Sequence, residues 1–338
     1  MYHPVIIDVE GFEINAEEKA LFNEFRPFGF ILFKRNCDTP EQLKALTDQM
    51  RDITGNADVP ILIDQEGGRV ARLGPPHWRK YPSAEIYSHI YETSPDLAIT
   101  AVQVHASLMA AELTNVGINI DCYPVADLLF EGADKVIGDR SYGDRPNKVS
   151  FLARAASEGM ISNGVIPIIK HIPGHGRADV DSHLKLPVVE TPLDILRETD
   201  FIPFTNLNDM PCAMTAHVIY SAIDADKCAT ISPKVINDII RGEMGFEGVL
   251  VSDDISMKAL RGTPAENALE ALEAGCDLAL HCNGTFEERR AVLAATKDQL
   301  LGEDNRIINI LKKKRAPRDI NQEMLYDWLL EVIKGYSS

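Results

Sequence analysis

Within the stretch Lys170–His183, Lys-His-Ile-Pro-Gly-His-Gly-Arg-Ala-Asp-Val-Asp-Ser-His, stand three histidines, two aspartates, a lysine and an arginine. It continues an apolar run, Val165-Ile166-Pro167-Ile168-Ile169, whose branched, unbroken character reads as a buried strand. Gly174 and Gly176 allow backbone conformations that a side chain would forbid, so an irregular loop is expected after the strand. A core has no use for so many titratable groups, whereas a site at the end of a strand does.

The same pattern recurs along the chain. Asp64 and Arg72, then Asp127 and Arg140, then Lys170, His171, His175, Asp181 and His183 each follow an apolar run, as do His217, Asp253 and Asp254, and His281 and Asn283. The set offers carboxylates, imidazoles and cationic donors, and no obvious serine or cysteine triad. Three chemistries fit it. A carboxylate nucleophile with an acid/base partner would transfer a glycosyl group. Histidines and aspartates could instead hold a divalent metal for hydrolysis. Lys170 at a strand end could form a Schiff base. His171, His175 and His183 lie four and eight residues apart on a loop, a poor metal pattern beside an HExxH helix, and neither a metal nor a cofactor is expected.

The elements that must position these groups alternate between apolar and amphipathic. Strands are expected at Pro4–Val9, Phe28–Phe33, Pro60–Ile63, Ile118–Val125, Val165–Ile169, Cys212–Met214, Val249–Val251 and Cys276–Leu280. Helices are expected between them, one opened by Asn15, one by Thr39-Pro40, and a third delayed until about Asp96 by a loop holding Pro75, Pro76, Trp78 and Pro82. Eight strand–helix units argue for a single (β/α)8 TIM-type barrel over residues 1–302, with catalytic loops after the strands. A doubly wound sheet is the alternative, but no GxGxxG turn follows a strand. Residues 303–338 read as a C-terminal helical extension packed on the barrel. Every polar group named above would then converge on one end of the barrel, where such folds build their sites.

These residues also carry a resemblance. Lys170-His171-Ile172-Pro173-Gly174-His175-Gly176 with Asp181-Ser182-His183 resembles the signature loop of the family 3 glycoside hydrolases, in their β-N-acetylglucosaminidase branch. Asp64-Gln65-Glu66-Gly67-Gly68-Arg69-Val70, Thr215-Ala216-His217-Val218, Ser252-Asp253-Asp254-Ile255-Ser256-Met257 and Ala274-Gly275-Cys276-Asp277 match the same branch, in barrel order, over roughly residues 5 to 285. The resemblance implies a retaining exo-β-N-acetylglucosaminidase that removes non-reducing terminal N-acetylglucosamine from muropeptides in cell-wall recycling. It places the nucleophile at Asp253 and the acid/base pair at Asp181 and His183.

The chemistry agrees with those roles. A carboxylate at Asp253 can attack the anomeric carbon and form a glycosyl-enzyme that water opens with net retention. Asp253 could instead merely cap the following turn. Alternation along a strand end would send Asp253 and Asp254 to opposite sides, so that one faces the sugar. An imidazolium titrates close to neutral pH, and the Asp-x-His spacing lets the carboxylate orient the ring. Asp64 would accept from sugar hydroxyls, while Arg72, Arg140, Lys170 and His171 would donate to them; salt bridges across the barrel mouth are the other reading for Arg72 and Arg140. Asp127 would brace the site, and His175 would shape the loop. A metal-dependent barrel hydrolase is one competing reading. An N-acetylglucosaminide phosphorylase is another, because a histidine acid/base leaves room for phosphate where a glutamate would repel it.

Composition sets the outer limits. The chain has 338 residues, 45% hydrophobic and 25% charged, with ample material for a core. Its net charge of −17 argues against nucleic acid as a partner. Six cysteines without a CxxC pair read as buried thiols in a reducing compartment. The N-terminus enters a strand directly, with no basic leader, and no apolar run looks long enough to span a bilayer. The expectation is a cytoplasmic protein, monomer or weak dimer, that acts on a small molecule and not at a membrane.

Overall fold

The computed structural model describes residues 1–132, 135–178, 186–301, 307, 309–316 and 319–336. Eight parallel strands close into a barrel: β1 (His3–Asp8), β2 (Pro27–Leu32), β3 (Ile61–Ile63), β4 (Ile120–Asp121), β5 (Ile166–Ile172), β6 (Cys212–Thr215), β7 (Val249–Asp254) and β8 (Leu278–His281). Each pairs with its neighbours in sequence, and β8 returns to β1 through Val5↔Ala279 and Ile7↔His281. The (β/α)8 barrel expected from the alternation is therefore the fold.

Alternation along the strands divides the core in two. Ile6, Phe28, Ile31, Leu62, Ile120, Ile168, Met214, Val251 and Leu280 form one buried cluster inside the barrel. Val5, Ile7, Phe30, Ile63, Ile169, Ala213, Leu250 and Ala279 belong to a second, which faces the helices. Successive strand residues point to opposite faces, so a run such as Ile61-Leu62-Ile63 serves both clusters and must be apolar throughout. All six cysteines are free and buried.

Local chemistry sets the helix ends. Helix α1 (Ala16–Phe25) opens on a capping box: Asn15 Oδ1 accepts from the Glu18 N–H at 2.9 Å, and Glu18 accepts from the Asn15 N–H at 3.2 Å. Helix α2 (Pro40–Thr54) has Thr39 as its cap and stops at Gly55, where φ is 62°. Helices α3 (Glu85–Thr93), α4 (Pro95–Asn115) and α5 (Pro146–Ile161) pack on one another as a layer, with α5 against β5. The C-terminal helix, Gln322–Lys334, lies against α4, with Leu329 buried and the Tyr326 hydroxyl donating to the Lys80 carbonyl at 3.0 Å.

Several expectations need correction. The sequence delays the third helix until about Asp96, yet α3 precedes that position. Its segment is rich in aromatic and β-branched residues, and it is helical because Tyr87 and Ile90, one turn apart, are buried against the α4 layer. The fourth strand shrinks to Ile120–Asp121; beyond it only Val125 bridges Lys170. β7 is longer than expected and includes Asp253 and Asp254. Finally, α4 is long and apolar enough, by length and composition alone, to cross a membrane. Gln103, His105, Ser107 and Glu112 interrupt its apolar run, which is why the sequence reading passed over it. Here its Ala98, Val102, Leu108, Met109 and Leu113 are buried within the protein.

Candidate active site

The carboxyl ends of the strands surround a cavity of about 760 Å³. Asp64, Arg72, Arg140, Lys170, His171, His175, Asp253, Asp254 and Met257 all contribute to its lining. Of the eight site residues expected from the sequence, six are thus brought together. The other two, Asp181 and His183, lie outside the described residues. A second cavity, of about 720 Å³, is lined by Tyr2, Arg51 and Arg315 among others; Asp58 is its one acid, and it has no histidine among the described residues.

One wall is a buried ion network. Asp64 follows β3, and Lys170 lies within β5. The Lys170 ammonium sits 3.0 Å from Asp64 and 2.7 Å from Glu66. Arg140, on the turn Gly138–Arg140, meets Glu66 through Nε at 2.8 Å and Nη2 at 2.7 Å. Arg72 Nη2 reaches Asp64 at 3.1 Å. Burial alone would raise the Asp64 carboxyl, but Lys170 and Arg72 outweigh it and hold the group below the usual range. Burial would likewise raise Glu66, and Arg140 and Lys170 reverse it strongly. Burial would lower the Lys170 ammonium, which Glu66 and Asp64 push up instead. All these groups are charged at neutral pH, so Lys170 is no Schiff-base nucleophile here, which would need a free amine.

Glu66 is the member that the sequence reading left out of its site. The signal was present, since Glu66 stands inside the Asp64–Val70 motif, but nothing in one dimension says which cations it meets. It also changes the standing of Arg140, whose Nε and Nη2 are taken by Glu66 and whose Nη1 donates to the Val136 carbonyl at 3.0 Å. Arg140 is thereby a bracing cation as well as a lining one.

Asp127 organises the next wall. It is fully buried and accepts from the His171 N–H at 3.1 Å, the His175 N–H at 2.7 Å and His171 Nδ1 at 2.7 Å. Burial would raise its carboxyl, yet the net shift is downward because His171 lies against it. With Nδ1 tied to a carboxylate, His171 presents Nε2 to the cavity. Burial, with His171 beside it, lowers His175 to about 4, which keeps that ring neutral. Gly174 has φ of 140°, and a Cβ on Gly176 would fall 1.9 Å from the Leu128 carbonyl oxygen. The first glycine answers to backbone conformation and the second to a close approach.

The adjacent acids at the end of β7 differ in how they are held. Asp254 accepts from Ser256 N at 3.0 Å, Ser256 Oγ at 2.7 Å and Cys282 N at 3.1 Å. Burial raises its carboxyl despite these donors, and the Asp253 charge adds to the rise. Asp253 accepts from the Asp254 N–H at 2.8 Å. Both line the cavity, so strand alternation is not what separates them; the local donors that hold Asp254 are. His217, expected at the same barrel end, is fully buried with Nδ1 on Thr230 at 2.7 Å and Nε2 on the Asp254 carbonyl at 2.9 Å. It braces β7.

Comparison with known proteins agrees with this geometry. Residues 5–308 match the glycosyl hydrolase family 3 N terminal domain. A β-hexosaminidase of Alkalilimnicola ehrlichii is 40% identical over 83% of this chain and 80% of its own length. One from Methylococcus capsulatus is 37% identical over 93% of each. The structure of native NagZ from Neisseria gonorrhoeae superposes with a TM-score of 0.84 at 32% identity, covering 100% of this chain and 98% of that one. The same enzyme has been solved in complex with N-trifluoroacetyl-D-glucosamine, at a TM-score of 0.84 and 31% identity, with the same coverage. By fold, by motif order and by relatedness along nearly its whole length, the chain belongs to glycosyl hydrolase family 3.

Proposed function

We propose that this glycoside hydrolase, a β-N-acetylhexosaminidase by kinship, is a retaining exo-β-N-acetylglucosaminidase that trims terminal N-acetylglucosamine from muropeptides. We place it in cell-wall recycling in the cytoplasm, as a monomer or weak dimer, with residues 303–338 as an extension of the barrel. The observation that carries the reading is that Asp253 shares one cavity with the Asp64–Lys170–Glu66–Arg140 network. That combination sets a carboxylate beside groups able to hold hydroxyls by both accepting and donating.

In this mechanism an Asp253 oxygen attacks the anomeric carbon as the glycosidic C–O bond breaks, and His183, steadied by Asp181, gives its proton to the departing oxygen. Water then delivers a proton to His183 as its oxygen attacks the same carbon, and Asp253 is released as carboxylate. Asp64, Arg72 and Lys170, with His171 Nε2, hold the sugar hydroxyls, and Arg140 fixes Glu66 behind them.

The test is incubation with N-acetylglucosaminyl-1,6-anhydro-N-acetylmuramyl-peptide, followed by proton NMR of the first sugar released. β-N-acetylglucosamine as the initial anomer is the expected product. Initial α-anomer would overturn retention, and β-glycosyl phosphate formed in phosphate buffer would make the protein a phosphorylase. A 5-fluoro-N-acetylglucosaminide should leave its label on the peptide containing Asp253.

A further inference from the structure

The wall that joins Asp64, Glu66 and Lys170 is only as fixed as the ribbon beneath it. Glu66 lies in a short antiparallel ribbon after β3, Gln65–Gly67 against Val70–Ala71, and Arg72 stands just beyond its end. So short a ribbon does not hold itself in water and needs support. Gln65 closes its open end, with Oε1 accepting from the Arg72 N–H at 2.8 Å and the Leu73 N–H at 3.0 Å. Its turn is held from outside. The Gly68 N–H donates to the Tyr81 carbonyl at 3.0 Å. Gly67, at a φ of 94°, passes so near the Pro82 carbonyl oxygen that a Cβ would strike it. The backbone of Tyr81 and Pro82 therefore dictates where Glu66 begins.

That backbone is gripped in turn by the C-terminal helix. The Tyr326 hydroxyl donates to the Lys80 carbonyl at 3.0 Å, and the Arg79 guanidinium lies 5.2 Å from the centre of the Tyr326 ring. Arg79 Nη1 also donates to Gln322 Oε1 at 3.2 Å and to Glu112 on α4 at 2.8 Å. The Tyr81 ring stacks on His105 of α4 at 4.8 Å and meets the Tyr326 ring edge-on at 6.1 Å. We propose that Tyr326, with Arg79 as its relay, is a positioning residue for the sugar-binding wall, setting the turn Glu66-Gly67-Gly68 from the C-terminal helix. The inference rests on the reading that this wall holds the sugar hydroxyls. Contacts to hydroxyls that do not react are made alike before and during the reaction, so displacing the wall raises KM and spares kcat. A helix that merely adds stability would change the melting temperature and leave KM alone.

Steady-state rates on 4-methylumbelliferyl β-N-acetylglucosaminide, taken well below each variant's melting temperature, separate the two. Competitive inhibition by free N-acetylglucosamine measures sugar binding directly beside them. Tyr326→Ala is expected to raise KM and the inhibition constant together by about five-fold, the scale of one net hydrogen bond, with kcat within about two-fold of native. Tyr326→Phe keeps the ring beneath Arg79 and should recover most of the loss. Leu329→Ala trims a buried side chain of the same helix that makes no hydrogen bond, and should lower the melting temperature with KM unchanged. A native KM in Tyr326→Ala, or the same rise in Leu329→Ala, would overturn the relay and leave the helix as a stabilising one. A KM unmoved in Lys170→Met as well would place the fault in the sugar-binding reading of the wall and not in its support.

Discussion

Glu66 grips Arg140 with both carboxylate oxygens, at 2.7 and 2.8 Å, and holds the Lys170 ammonium at 2.7 Å with the same group. Glu66 and Lys170 are both almost wholly buried, so the two cations depend on this carboxylate in a setting that water does not relieve. Removing one partner of such a group strands the charge on the others.

Glu66→Ala is therefore expected to destabilise the fold by about 3–5 kcal/mol, the range for breaking a buried ion pair from one side. Denaturant unfolding checks the stability, and KM for an N-acetylglucosaminide should rise as Lys170 loses its position. Glu66→Gln, which keeps the shape and one acceptor oxygen, should sit between the native protein and the alanine variant. Native stability in Glu66→Ala would show that water replaces the carboxylate.

The paired aspartates should respond in opposite ways. Asp253→Ala should lose about 10⁴–10⁶-fold in kcat, as when an enzyme's nucleophile is deleted, while its melting temperature holds. Asp254→Ala leaves the part-buried Cys282 N–H without its acceptor, worth about 1–3 kcal/mol where water is excluded, and releases the exposed Ser256, so its melting temperature should fall. Circular-dichroism melts beside steady-state rates distinguish the two. Near-native rates in Asp253→Ala would move the nucleophile elsewhere.

His183, read from sequence as the acid, has a signature in leaving-group dependence. His183→Ala should lose about 10²–10⁴-fold on an alkyl N-acetylglucosaminide, the usual worth of general acid catalysis. On a dinitrophenyl glycoside, whose leaving group departs without a proton, glycosylation should slow much less. Equal losses on both substrates would assign His183 to sugar positioning.

Acid stability should report on His105, which is buried with Nδ1 2.8 Å from the Tyr87 hydroxyl. Burial lowers this imidazole from 6.5 to about 3. Below pH 6.5 the unfolded chain takes up a proton that the folded one refuses until about pH 3. Stability is thus complete above pH 6.5 and lost as pH falls through that window, by about 1.4 kcal/mol per pH unit. His175, lowered to about 4, adds to the slope over its own span. His105→Gln should remove its share, about 2 kcal/mol between pH 6.5 and 5, in urea unfolding at the two pH values. An unchanged slope would mean that the ring is already protonated in the fold.

Much of this protein is legible in one dimension because the signals are local or periodic. Eight apolar runs, the last six with polar residues at their trailing ends, specify a barrel and the end that carries the site, since strand periodicity and chain direction do not depend on distant contacts. The helix starts at Asn15 and Thr39 are legible for the same reason. What the sequence could not settle were relationships between loops far apart in the chain. It named Asp64, Lys170 and Arg140 but not Glu66 as the carboxylate that joins Lys170 to Arg140, because residues 66, 140 and 170 meet only when β3, β4 and β5 stand side by side. It expected Asp127 to brace the site, and the closed barrel gave that carboxylate a specific task, three donors from His171 in β5 and His175 just after it. It separated Asp253 from Asp254 by strand alternation, whereas the fold distinguishes them by Cys282, which approaches Asp254 from β8. Composition along a chain fixes which groups are available; packing decides which of them share a proton, a charge or a wall.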